Sequence, residues 1–182
     1  MRGSANVTLV ECAITGHNGT ATEFYYGGAG LRVDANASVH LVHCTIAGNR
    51  ASAGGGVYVQ NMATVAFDRC ILWGNCASDA IYGDEGYVEA GGALVFECCD
   101  TDPTRIKGPG TRTYWGGIVA DPQFCNRRSC LNAPTPEGDY RLNAGSPALN
   151  VPGCGQIGVF GVGCGVTAVE RTSWGKLKGL YR

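Results

Sequence analysis

Short bursts of alternating apolar and polar residues, separated by glycine-rich polar stretches, run along most of this chain. In Val7-Thr-Leu9-Val-Glu-Cys12-Ala-Ile14-Thr-Gly16 the apolar side chains fall on positions 7 and 9, then on 12 and 14. Period-two alternation predicts strands, and the change of phase predicts a sharp bend near Val10-Glu11 that lets both strands aim inward. The phrase recurs as Val39-His-Leu41-Val-His-Cys44-Thr-Ile46-Ala-Gly48 and Val65-Ala-Phe67-Asp-Arg-Cys70-Ile-Leu72-Trp-Gly74, and more weakly as Ala93-Leu-Val95-Phe-Glu-Cys98-Cys-Asp100. Its cysteines lie 32, 26 and 28 residues apart (12 to 44, 44 to 70, 70 to 98).

A second phrase sits between them: Gly28-Ala-Gly-Leu31-Arg-Val33, Gly54-Gly-Gly-Val57-Tyr-Val59 and Asp79-Ala-Ile81-Tyr-Gly83. Repetition at this period predicts an all-β parallel solenoid with three short strands per coil, the coils about 4.8 Å apart. Cys12, Cys44, Cys70 and Cys98 then form one interior ladder, and Ile14, Ile46 and Leu72 another. Asn18, Asn49 and Asn75 are expected to stack at a turn and hydrogen-bond along the axis. A β-sandwich also has many short strands, but it does not predict the same residue at the same phase in each repeat. Leucine-rich repeats lack a counterpart here for their asparagine-leucine pattern and helical segment.

Composition narrows the class of partner. The chain has 182 residues, of which 29 are glycine and 16% are charged, with a formal net charge of −1. Such a balance offers no footprint for nucleic acid, and no apolar run is long enough to span a bilayer. Ten cysteines, an even set, favour an oxidising compartment. Zinc is the rival reading, but the cysteine spacings and His17, His40 and His43 do not form paired ligand sets. No signal-peptide h-region opens the chain. The expectation is therefore an exported protein preceded by upstream coils, extracellular or at the cell surface.

The phrases Cys44-Thr-Ile-Ala-Gly-Asn49, Gly54-Gly-Gly-Val-Tyr-Val59, Cys70-Ile-Leu-Trp-Gly-Asn75, Ala120-Asp-Pro-Gln-Phe-Cys125, Gly138-Asp-Tyr-Arg-Leu142 and Gly145-Ser-Pro-Ala-Leu149 carry a resemblance. The chain resembles the C-terminal part of right-handed parallel β-helix proteins of the pectate-lyase-like superfold. It is similar in particular to bacterial secreted repeat proteins of the polymorphic outer-membrane type. The resemblance implies coils over residues 1–165, with 121–165 as irregular terminal coils and cap; the tail over 166–182 departs in composition and is the candidate for a short amphipathic helix. Function is not implied, because a superfold does not fix a reaction.

Enzymes on this superfold use clustered carboxylates, as acid/base pairs or as Ca²⁺ ligands beside a basic residue. Asp79, Asp84, Glu85 and Glu89 are the nearest set, with Asp84-Glu85 in an insertion. Ca²⁺ enters only under this alternative, a polysaccharide lyase or glycoside hydrolase fragment; otherwise no metal or cofactor is expected. The preferred reading is a structural, adhesive or glycan-binding module. Arg32, Tyr58 and Tyr82 share one repeat position, outward between inward Leu31/Val33, Val57/Val59 and Ile81, and exposed aromatics suit stacking on sugar rings. A polysaccharide or cell-surface glycan is the expected partner. Short loops predict the disulfides Cys125–Cys130 and Cys154–Cys164, with the ladder cysteines as unpaired apolar fillers.

Overall fold

The computed structural model describes residues 5–19 and 27–165. The expected tail, 166–182, lies outside the described residues. What is described is all-β apart from four short 3-10 turns, and its larger sheets are parallel throughout.

Equivalent strands of successive repeats pair with one another. A five-stranded sheet holds Asn6–Val10, Ser38–Val42, Thr64–Asp68, Ala93–Glu97 and Thr111–Trp115. A second holds Ala13–Thr15, Thr45–Ala47, Ile71–Trp73 and Asp100–Thr101. Asn18–Gly19, Arg50–Ala51 and Cys76–Ala77 form a third, and Leu31–Val33, Val57–Val59, Gly86–Val88 and Ile106–Lys107 a fourth. The arrangement is solenoid-like. A full repeat contributes four strands rather than three, because the two-residue segment Arg50–Ala51 pairs in a sheet of its own.

Two of the repeat's corners flank the second sheet. Glu11, His43, Arg69 and Cys98 hold left-handed backbone, with φ of 51, 49, 51 and 53°. This is the bend that shifts the inward phase between the first and second sheets. The next corner falls at Gly16, Gly48 and Gly74, where φ of 70, 68 and 68° favours glycine.

The interior is filled by register ladders. Leu9, Leu41, Phe67, Phe96 and Tyr114 align in the first sheet. Parallel rings follow one another there, Phe67 to Phe96 at 4.8 Å and Phe96 to Tyr114 at 5.1 Å. Ile14, Ile46 and Leu72 align in the second sheet as expected, and Thr101 extends the column. The cysteine ladder ends differently. Cys12, Cys44, Cys70 and Cys99 are the free thiols, and the backbone N–H of each of the first three donates to the next sulfur at 3.3–3.4 Å. Cys98 was the expected rung, but it takes the left-handed corner that Arg69 holds one repeat earlier, so its side chain leaves the interior.

The amide ladder is shifted in the same way. Asn18 pairs with Arg50, and His17 holds the rung below Asn49. Asn49 and Asn75 are fully buried. Asn75 Oδ1 accepts from both the backbone N–H and Nδ2 of Asn49 at 3.0 Å. Glu85 completes the column, since its Oε2 accepts from Asn75 Nδ2 at 2.7 Å and its Oε1 from the Gly74 N–H at 2.7 Å.

Residues after Ile118 do not continue the stack as terminal coils. They run back along its flank as a strap over the second sheet. Thr135 N–H donates to Gly16 O at 2.9 Å, Val159 N–H to Thr45 Oγ1 at 3.2 Å and Gly158 N–H to Arg69 O at 2.8 Å. Ile71, with Trp73 against it, faces outward into a second core of Leu142, Ala148, Val151 and Ile157. Within the strap, Phe124–Asn126 and Val162–Cys164 flank the central strand Asp139–Asn143.

This path corrects the disulfide assignment. Cys125, Cys130, Cys154 and Cys164 are all bonded, but neither expected pair forms. Cys76–Cys130 and Cys98–Cys154 tie the strap to the stack, with Cα atoms 5.9 and 5.5 Å apart, and Cys125–Cys164 joins the strap's outer strands at 5.8 Å. Cysteines close in sequence are carried apart because the strap spreads along the flank instead of closing short loops.

Candidate functional site

The outward face of the fourth sheet carries the aromatic set. Register places Arg32 beside Tyr58, and Tyr58 beside Tyr87. Tyr82 does not share this position: it belongs to the 3-10 turn Ala80–Tyr82, capped by the Asp79 side chain. The insertion precedes the strand, so the strand phrase resumes at Gly86-Tyr87-Val88. Ile81 accordingly stands 66% exposed instead of facing inward. A repeat of 29 residues, from Tyr58 to Tyr87 and from Cys70 to Cys99, was the signal that locates both slipped ladders.

The insertion folds back over the ladder and brings Tyr82 to it by another route. Tyr87 stacks on Tyr58 with ring centroids 5.7 Å apart and planes at 17°, and Tyr82 meets Tyr87 edge-on at 5.8 Å. Together with Glu89, Ser52, Ala53 and Gly27 they line a cleft of about 220 Å³. Tyr58 forms its floor, only 6% exposed, whereas Tyr82 is 44% exposed at the rim. The Tyr58 hydroxyl donates to Glu89 Oε1 at 2.5 Å. Burial, then this bond to a carboxylate, holds its pKa well above the usual phenol value. Burial also raises Tyr87, helped by the Glu89 charge. Arg32 places its guanidinium 5.4 Å from the Tyr58 ring centroid.

The four sequence-predicted carboxylates go to separate tasks. Asp79 Oδ1 accepts from Ile81 N–H at 3.0 Å and caps the turn. Asp84 accepts from the Ala77 N–H at 3.0 Å and pairs with Arg105 at 3.2 Å. Glu85 is 1% exposed, its Oε1 lying 3.6 Å from Arg105 Nε. Burial pushes Glu85 up to about 7, against the hydrogen bonds from Asn75 and the Arg105 charge. Glu89 alone of the four lines the tyrosine cleft. Each carboxylate thus has a local partner that holds the backbone or a side chain in place.

Sequence reasoning missed Asp100. It is fully buried on the second sheet under the strap, with Oδ1 accepting from the Ala120 N–H at 3.2 Å and Oδ2 unpartnered. Burial pushes its carboxyl up to about 7. No family model matches this chain, and neither a curated protein nor a solved structure matches it. The site must speak for itself. Among the described residues no group of three or more His, Cys, Asp or Glu is placed to hold a metal ion. No helix among them is long and apolar enough to cross a membrane.

Proposed function

We propose that the chain is an extracellular or cell-surface module, wound as a right-handed parallel β-helix of the pectate-lyase-like kind, that binds a glycan in the tyrosine cleft. The observation that carries this reading is the convergence of Tyr58, Tyr82 and Tyr87 on one concave site of about 220 Å³. A sugar ring presents an apolar C–H face and a rim of hydroxyls. Tyrosines match both, since the ring stacks and the hydroxyl hydrogen-bonds. The outward faces of a parallel sheet hold such residues at a spacing of about 4.8 Å, so neighbouring sugars meet neighbouring repeats. Three disulfides fit an oxidising compartment.

Affinity electrophoresis against a panel of neutral, acidic and amino polysaccharides tests the reading. Tyr82→Ala and Tyr87→Ala should each abolish retardation without changing the unfolding midpoint. Retardation that survives both substitutions would refute the cleft as the site. Chain cleavage that is lost in Asp84→Asn instead would turn the reading to a polysaccharide lyase or glycoside hydrolase.

A further inference from the structure

We infer that the tyrosine cleft selects an ammonium group carried by the glycan. The inference rests on the glycan reading above and narrows it to cationic sugars.

Three tyrosine rings surround the cleft, and ring faces carry negative electrostatic potential. Among the described residues, Glu89 is the charged one in its lining. Oε1 of that carboxylate is taken by the Tyr58 hydroxyl, while Oε2 accepts from no protein donor among the described residues. A cation entering the cleft therefore meets aromatic faces and an available carboxylate oxygen together. A uronate entering it would set one carboxylate against another.

The cations of this face stand at the ends of the ladder. Arg32 lies over Tyr58 from the preceding repeat, and Lys107 is the register partner of Tyr87 in the following one. Neither lines the cleft. Arg32 shows that a ring of this ladder accepts a cation over its face. A primary ammonium would donate to Glu89 and a tyrosine hydroxyl. A quaternary ammonium would use the ring faces alone, and both share the same charge and the same site.

Isothermal titration at about pH 6, where an amino sugar is protonated, distinguishes the outcomes. The probes are a β-1,4-linked glucosamine tetramer, its N-acetylated counterpart and tetramethylammonium chloride. The glucosamine tetramer should bind at least about tenfold more tightly than the acetylated form. Glu89→Gln, which keeps an oxygen to accept from Tyr58, should remove that preference, and Tyr82→Ala should weaken binding of both. Competition by tetramethylammonium would assign a quaternary group, and its failure against a bound glucosamine tetramer a primary one; each supports the inference. Equal binding of both tetramers, unchanged in Glu89→Gln, overturns the ammonium inference and leaves the glycan reading intact. Binding of neither tetramer and of no polysaccharide in the panel overturns both.

Discussion

Replacing Asn75 by alanine should be among the most damaging single changes in this protein. The side chain is fully buried and holds four hydrogen bonds at 2.7–3.0 Å. Its Nδ2 reaches the Ile46 carbonyl and Glu85, and its Oδ1 serves the backbone and side chain of Asn49. Alanine removes the acceptor of a buried N–H, a donor to a buried carbonyl, and one of the bonds that steady a buried carboxylate. Stranding a buried polar group costs about 1–3 kcal/mol, so two such groups and the weakened Glu85 contact bring the loss to about 4 kcal/mol. That is a large share of the ~5–15 kcal/mol that holds a typical domain folded. Asn49→Ala should cost about half as much, because its partner on the far side is the exposed His17, whose N–H water can satisfy. The two substitutions remove shared bonds, so the double mutant should fall short of additivity by about 1 kcal/mol. Urea unfolding followed by circular dichroism, without reductant, measures all three. A cost below about 1 kcal/mol for Asn75→Ala would refute the idea that the amide column holds the repeats together.

Glu85 and Asp100 are both pushed up to about 7 by burial. Each stabilises most when protonated, below its unfolded value, and that contribution is lost as pH rises through about 7. Stability measured from acidic to alkaline pH should therefore fall by about 3 kcal/mol for Glu85 and about 4 kcal/mol for Asp100, and a flat or rising profile would refute the assignment. Phe67→Ala, which removes the first ring of the interior stack, should cost about 3–5 kcal/mol in the same unfolding assay. Non-reducing peptide mapping should recover Cys76–Cys130, Cys98–Cys154 and Cys125–Cys164, with the buried Cys44, Cys70 and Cys99 alkylated only after unfolding and the half-buried Cys12 alkylated sooner. A Cys125–Cys130 peptide would overturn the path of the strap.

The parallel pairing of repeats was legible because stacking imposes one environment on each rung. Val39, Val65 and Leu94 meet the same neighbours and are all aliphatic, and each left-handed corner between the first and second sheets precedes a cysteine of the ladder. Legibility failed where the period changed. Counting from Ile81 put Tyr82 on the ladder, although the strand resumes five residues later at Tyr87. Counting from Cys70 chose the first of two adjacent cysteines when the chain uses the second. Both errors have one cause: an insertion moves side chains without changing the local alternation from which strands are read. The tyrosine cleft was thus foreseen as a face but not in its composition, and Glu89 entered it from a list of catalytic candidates.

The strap was hidden for a different reason, since it has no period and its contacts join residues more than a hundred positions apart, as in Val159 to Thr45. Nor do cysteine spacings settle connectivity, because short loops and long crossings satisfy the same count. A trace of it does exist in the repeats themselves. The outward positions of the second sheet are Ala13 and Thr15, then Thr45 and Ala47, but in the third repeat they are Ile71 and Trp73. Ala13 stands exposed, whereas Thr45 and Ala47 are already buried, Thr45 beneath Val159 of the strap; isoleucine and tryptophan on such outward positions need an apolar cover. The cover is the core of Leu142, Ala148, Val151 and Ile157. Cys76 and Cys98 anchor the strap to the stack, Cys98 through Cys154, which packs against that core. A break in the pattern of outward residues, more than the cysteine count, marks where a solenoid-like stack is buried from the side.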